Sequence, residues 1–182
     1  IGKDDFDIEK IDFNDLNVYS LFTSGKTDGV FQCESSGMRS VFMRLKPTNI
    51  EDIIAVISLY RPGPMDSIDS YIQNRHNPNS ISYKTPMLKE ILDVTYGCMV
   101  YQEQVMQIVR TLAGFSMGRA DEVRRAMSKK KAKEMQKARQ SFIYGEDNDD
   151  GSIRLMGCVR NGIDVETAER IFDDMDAFAQ YA

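Results

Sequence analysis

Apolar positions recur along most of this chain at helical spacing, and few stretches alternate in the manner of a strand. Met38, Val41, Phe42 and Leu45 stand at i, i+3, i+4 and i+7, which predicts a helix with one buried stripe. Ser35 or Ser36 is its N-cap and Pro47 ends it. Before it, Asn14 is placed to cap a short helix carrying Leu16, Tyr19 and Phe22 and closed by Gly25, and Val30, Phe31 and Gln32 read as a brief extended piece. After it, Asn49 and Asp52 make a capping arrangement for a run from Ile50 to Leu59 that is apolar nearly all round, the pattern of a centrally buried helix. That run stops at Arg61-Pro62-Gly63-Pro64, a corner stiff enough to hold Arg61 firmly, either toward a ligand or against the helix C-terminus.

Residues 73–86 form a polar connection and are the best internal linker. Met87, Leu88, Ile91 and Leu92 then predict a short amphipathic helix broken at Thr95-Tyr96-Gly97, and Cys98 to Tyr101 read as a short buried strand or extended entry. A helix from Gln102 buries Val105, Ile108, Val109 and Leu112 and ends at Gly114, with Gln102, Glu103, Gln104 and Gln107 as polar groups near its start. The last helix opens at Asp164 and turns Val165, Ala168, Ile171, Phe172, Met175 and Phe178 to the core. The fold class expected is mainly α, a multi-helix body with a few short extended segments and no large sheet.

Composition changes this picture in two places. The chain carries 23 Lys and Arg against 28 Asp and Glu, a formal charge of −5, yet residues 119–139 reverse the sign. There Arg119, Arg124, Arg125, Lys129, Lys130, Lys131, Lys133, Lys137 and Arg139 face only Asp121, Glu122 and Glu134. Concentrated positive charge on an acidic body suits a polyanion, against the plainer reading of a lysine-rich solvated helix. Ala120, Val123, Ala126 and Met127 make one helical face, Arg124 flanks it, and Arg125 points away within reach of Asp121 at i, i+4. Arginine forks onto phosphate oxygens and lysine serves as a mobile point charge. The second place is the acidic stretch 145–152, whose carboxylates miss the calcium-loop pattern because Gly157 stands where a bidentate Glu belongs, so it reads as a solvated loop. Residues 1–16 are an acidic lead-in, solvated rather than metal-binding.

Several function classes are set aside. His76 is the only histidine and sits in a polar segment, against Ser-His or Cys-His triads. Three scattered cysteines form no CxxC pair and fit a reducing cytosol. No apolar run approaches a membrane span, and no phosphate loop, GxGxxG or HExxH occurs. Both ends read as cut, Ile1 at one and a helical pattern without a stop signal at the other.

GVFQCESSGM (29–38), SLYRPGPM (58–65), YGCMVYQEQVMQI (97–108), RADEVRRAMSKKK (119–131) and NGID (161–164) stand together in an order that resembles the alpha subunits of bacterial DNA polymerase III, the C-family replicative polymerases. YRPGPM and RRAMSKKK look more like the form common in clostridia, and Cys33 departs from a leucine common in the family. The resemblance implies a lead-in and short helix at 1–28 and the helical fingers at 29–182, possibly subdivided at 73–86, with the palm absent. It implies a DNA-directed DNA polymerase as the parent, with this fragment inactive alone and no catalytic or metal-binding residue in it. Arg124, Arg125, Arg61, Gln102 and Glu103 would line the site of an incoming deoxynucleoside triphosphate, and Lys129, Lys130, Lys131 and Arg119 would contact DNA phosphates. Magnesium would be held by absent palm carboxylates. Primer-template DNA and other replicase subunits such as the sliding clamp would be the partners, in the cytoplasm and without a membrane. The alternative is a non-catalytic helical nucleic-acid-binding module, and a weaker one a protein-interaction scaffold using the Met-containing helices.

Overall fold

A computed structural model describes residues 7–179. The beginning of the acidic lead-in, with Asp4 and Asp5, and the terminal Tyr181-Ala182 lie outside the described residues. In chain order the α-helices are α1 (Leu16–Thr23), α2 (Ser36–Leu45), α3 (Ile50–Leu59), α4 (Ile68–His76), α5 (Pro86–Leu92), α6 (Gln102–Ala113), α7 (Met117–Ser128), α8 (Ala132–Tyr144), α9 (Gly157–Arg160) and α10 (Val165–Ala179). The one sheet among the described residues is an antiparallel pair, β1 (Glu146–Asp147) and β2 (Ile153–Leu155). The architecture is mainly α, as the periodicity predicts.

Two compact units share the chain, one reaching to Ile57 and the other beginning at Ser58. In the first, Phe22 of α1 meets Phe42 of α2 with ring centroids 4.7 Å apart, and Met38, Val41 and Leu45 fill the stripe below them. Ser35 is the N-cap of α2, accepting from the Met38 amide at 3.2 Å, and Lys46 closes it in the left-handed region at φ 53°. The expected cap of α1 moves by one residue. Asp15 accepts the Asn17 amide at 2.8 Å, while Asn14 donates its own amide to Asp12. Val30 to Gln32 are not extended: the chain turns there and Gln32 sits at φ 63°. The cap of α3 is as expected, Asn49 accepting the Asp52 amide at 2.8 Å and the Asp52 carboxylate accepting from Thr48 at 3.0 Å. α3 itself is less enclosed than its composition suggests, since Ile54 is 46% exposed.

The second unit is built around α6. Val105, Ile108, Val109 and Leu112 are fully buried, and α5, α7, α8, α9 and α10 all pack against this helix. Its position depends on one buried amide. The Gln104 Oε1 accepts from Val100 at 2.8 Å and from Tyr101 at 3.0 Å, and its Nε2 donates to Thr95 Oγ1 at 2.8 Å. The segment before α6 therefore enters as coil pinned by a side chain, not as a strand. Gly114 at φ 80° ends α6, and Ser116 opens α7, accepting the Arg119 amide at 3.4 Å. α10 begins at Asp164, which accepts the Thr167 amide at 2.9 Å.

The basic stretch is not one helix. α7 ends at Ser128, Lys129 to Lys131 form a turn with Lys130 at φ 52°, and α8 begins at Ala132. The acidic stretch is solvated from Asp147 to Ser152, as expected, and Glu146 is the exception. The stretch is a hairpin whose first strand buries Glu146 and whose ends meet at two glycines, Gly145 (φ 79°) and Gly157 (φ 73°). A Cβ at Gly145 would lie 2.3 Å from the Leu155 carbonyl oxygen, and one at Gly157 would lie 2.2 Å from the Gly145 nitrogen. Only glycine permits that approach.

Candidate nucleotide and phosphate site on helix α7

α7 carries two polar faces on either side of its buried stripe. At about 100° per residue, Asp121, Arg124, Arg125 and Ser128 fall on one side, and Arg119 and Glu122 on the side of Val123 and Ala126.

On the first face Asp121 brackets both arginines. Its Oδ1 accepts from Arg124 Nη2 at 2.7 Å and Nε at 3.0 Å, and its Oδ2 accepts from Arg125 Nε at 2.7 Å. The hydrogen bond from Arg124, joined by the charge of Arg125, holds the Asp121 carboxyl below its ordinary value. Arg124 also donates from Nη1 to Gln102 Oε1 at 2.7 Å, so the first residue of α6 and the last turns of α7 are tied across the helix pair. Arg124 is partly covered, whereas the Arg125 side chain is 64% exposed. A guanidinium held at Nε by a carboxylate still presents its Nη edge, the edge that forks onto phosphate.

Lys129, Lys130 and Lys131 follow immediately and are exposed, with the Lys131 Nζ 2.8 Å from Glu134. Glu103 is exposed in the first turn of α6 beside Gln102. Arg61 stands apart from this group in its bonding. Its Nε donates to the Ser58 carbonyl at 3.0 Å, the position of a cation against the C-terminus of α3, and Gly63 at φ 94° makes the corner that follows.

The second face turns Arg119 inward. Arg119 forks onto Glu146, Nη1 to Oε2 at 3.0 Å and Nη2 to Oε1 at 2.7 Å, and its guanidinium lies 5.0 Å from the Phe115 ring centroid. Glu146 is 11% exposed and also accepts from Arg154 of β2 and Ser141 of α8. Arg119's hydrogen bonds are the chief reason its carboxyl is held down at about 2. Beside this cluster α7, α8 and β2 border an open cleft of about 710 Å³, lined by apolar Phe115, Val123 and Leu155 and by charged Arg119, Glu134 and Lys137 among others. Glu146 and Gln104 are the functional-site neighbours that periodicity does not reveal. Gln104 at the third helical position was readable as a capping signal only if Tyr101 had been a polar N-cap.

Of the five segments on which the resemblance rests, 29–38 lies in the first unit and the other four in the second. A family model described as the bacterial DNA polymerase III alpha subunit finger domain matches residues 2–150. The chain belongs to that family. It is 49% identical over 175 residues to the DNA polymerase III subunit alpha of Staphylococcus epidermidis and 48% identical over 175 residues to those of two Staphylococcus aureus strains. Each alignment covers 96% of this chain, and the finger domain spans 15% of the length of these relatives. Among the described residues of the finger domain no group of three or more His, Cys, Asp or Glu side chains could hold a metal ion, and no helix is long and apolar enough to cross a membrane.

Proposed function

We propose that this finger domain supplies one wall of the nucleotidyl-transfer site of a replicative DNA-directed DNA polymerase. The observation that carries the reading is the Asp121 bracket, which orients two adjacent arginines at one end of α7 and leaves Arg125 open to solvent. Arg125 forks onto the phosphates of the incoming deoxynucleoside triphosphate. Arg124, fixed from below by Asp121 and from α6 by Gln102, lines the same site, with Glu103 beside it and Arg61 on a separate corner. Lys129, Lys130 and Lys131 contact primer-template phosphates; Arg119 is left out of that set because its charge is already taken up by Glu146. Such contacts position the triphosphate and neutralise charge that develops on it during transfer.

Magnesium in the parent enzyme would be held by palm carboxylates and would supply Lewis acidity toward phosphoryl oxygen, and no residue of the finger domain is assigned to it. The other replicase subunits, including the sliding clamp, are partners of the parent in the same reading, and its place of action is the cytoplasm.

The test is steady-state nucleotide incorporation by the full-length parent carrying Arg124→Ala or Arg125→Ala. Each is expected to raise KM for nucleotide or lower kcat at saturating primer-template. Unchanged kinetics in both would leave only a DNA-binding module, for which nucleotide concentration dependence would not move.

A further inference from the structure

We propose that Glu146 is a positioning residue for the nucleotide site, acting through Arg119 to set the rotation of α7 that presents Arg124 and Arg125. The inference rests on the reading of that site given above. Glu146 ties three separate elements together, α7 through Arg119, α8 through Ser141 and β2 through Arg154. It stands on the face of α7 opposite the arginine pair, so any roll of the helix about its axis that loosens the Arg119 fork must also carry Arg124 away from Gln102. Beside the cluster, the side chains of α7 and α8 do not close over one another but border the open cleft of about 710 Å³. Apolar packing alone therefore leaves the roll of α7 against α8 under-determined there, and a bidentate, mostly buried ion pair supplies the missing constraint.

The fork also spends a cation that would otherwise point at nucleic acid. Arg119 is the first arginine of the basic stretch, and its charge is paired bidentately with Glu146, whereas the Arg125 side chain is 64% exposed. The Phe115 ring lies against the Arg119 guanidinium.

The experiment uses the full-length parent polymerase and compares Glu146→Gln in two backgrounds. Gln keeps the shape and loses the charge that both arginines require. In the otherwise wild-type enzyme, KM for nucleotide is expected to rise about tenfold with kcat changed by less than about twofold, a small misplacement of binding groups being sufficient for that loss. In an Arg124→Ala/Arg125→Ala background the same substitution is expected to add nothing to KM, because the groups it positions are gone. A KM that rises equally in both backgrounds, or a fall in kcat at constant KM, overturns the positioning role. If Arg124→Ala/Arg125→Ala alone leaves KM unchanged, the reading of the site fails and the inference falls with it. If Glu146→Gln has no effect while the arginine variants do, only the inference fails. Should Glu146→Gln lose its thermal unfolding transition, Arg119→Gln replaces it, since Glu146 then keeps Arg154 and Ser141, and the same KM comparison decides.

Discussion

The Gln104 amide offers the sharpest energetic test of how the second unit holds its central helix. Gln104→Met keeps nearly the volume and flexibility of the side chain, so little of the effect comes from a cavity. What is lost is the acceptor for two backbone amides and the donor to Thr95 Oγ1. Val100 is 1% exposed, so no water reaches its N–H, and stranding it costs about 1–3 kcal/mol. Tyr101 is half-buried, and losing its bond costs about 0.5–1.5 kcal/mol. The expected loss is therefore about 1.5–4.5 kcal/mol, or about 3–18 °C in Tm for a chain of this size. Urea denaturation followed by far-ultraviolet circular dichroism measures it, with Gln107→Met as the control. Gln107 is exposed on the same helix and should stay within about 0.5 kcal/mol of wild type. A loss under about 1 kcal/mol for Gln104→Met at unchanged m-value would refute the idea that this amide pins the entry to α6.

Two further outcomes concern the hairpin. Gly157→Ala forces a Cβ into the Gly145 backbone at a left-handed φ, and neither backbone can yield as a flexible side chain would. A destabilisation above about 3 kcal/mol, read as a Tm shift, is expected. The Glu146 carboxyl is depressed from 4.5 to about 2 by Arg119 and its neighbours, so its stabilising contribution is complete above pH 4.5 and is lost as pH falls toward 2. Stability measured across that window should fall less steeply in Glu146→Gln than in wild type, and parallel curves would contradict the assignment.

Helices with a clean apolar stripe and a polar cap were legible from residues alone. α2 opens at Ser35, α6 runs from Gln102 to Gly114, and α10 opens at Asp164, because each of these boundaries rests on a local hydrogen bond or a glycine. The break inside the basic stretch was not legible. Lys129 to Lys131 contain neither glycine nor proline, and the left-handed Lys130 follows from the packing of α7 and α8 on the same core. The hairpin was missed because strands of two and three residues are too short to show alternation. The exposure of Ile54 shows the limit of reading burial from composition, since an all-apolar helix need not have neighbours on every side.

The candidate site divides the same way. Asp121 with Arg125 is a four-residue spacing that any helix brings together, and the pair is present. The link from Arg124 to Gln102 crosses 22 positions, and the fork from Arg119 to Glu146 crosses 27. Both depend on how helices pack, and no local pattern encodes them. The family is thus legible in segments read together, while the wiring of the candidate site is set by the fold.

The turn at Lys129 to Lys131 has one more consequence, for changes in chain length. Inserting one residue within α7 rotates everything after it by about 100° and would carry Arg125 off Asp121. An insertion in the lysine turn adds no such twist, because no helical ladder runs from α7 into α8 to transmit it. A change of length in the turn is therefore not passed along a helical ladder to the arginines. Within the basic stretch, it is the lysine connector that can lengthen or shorten while the Asp121 bracket stays in phase.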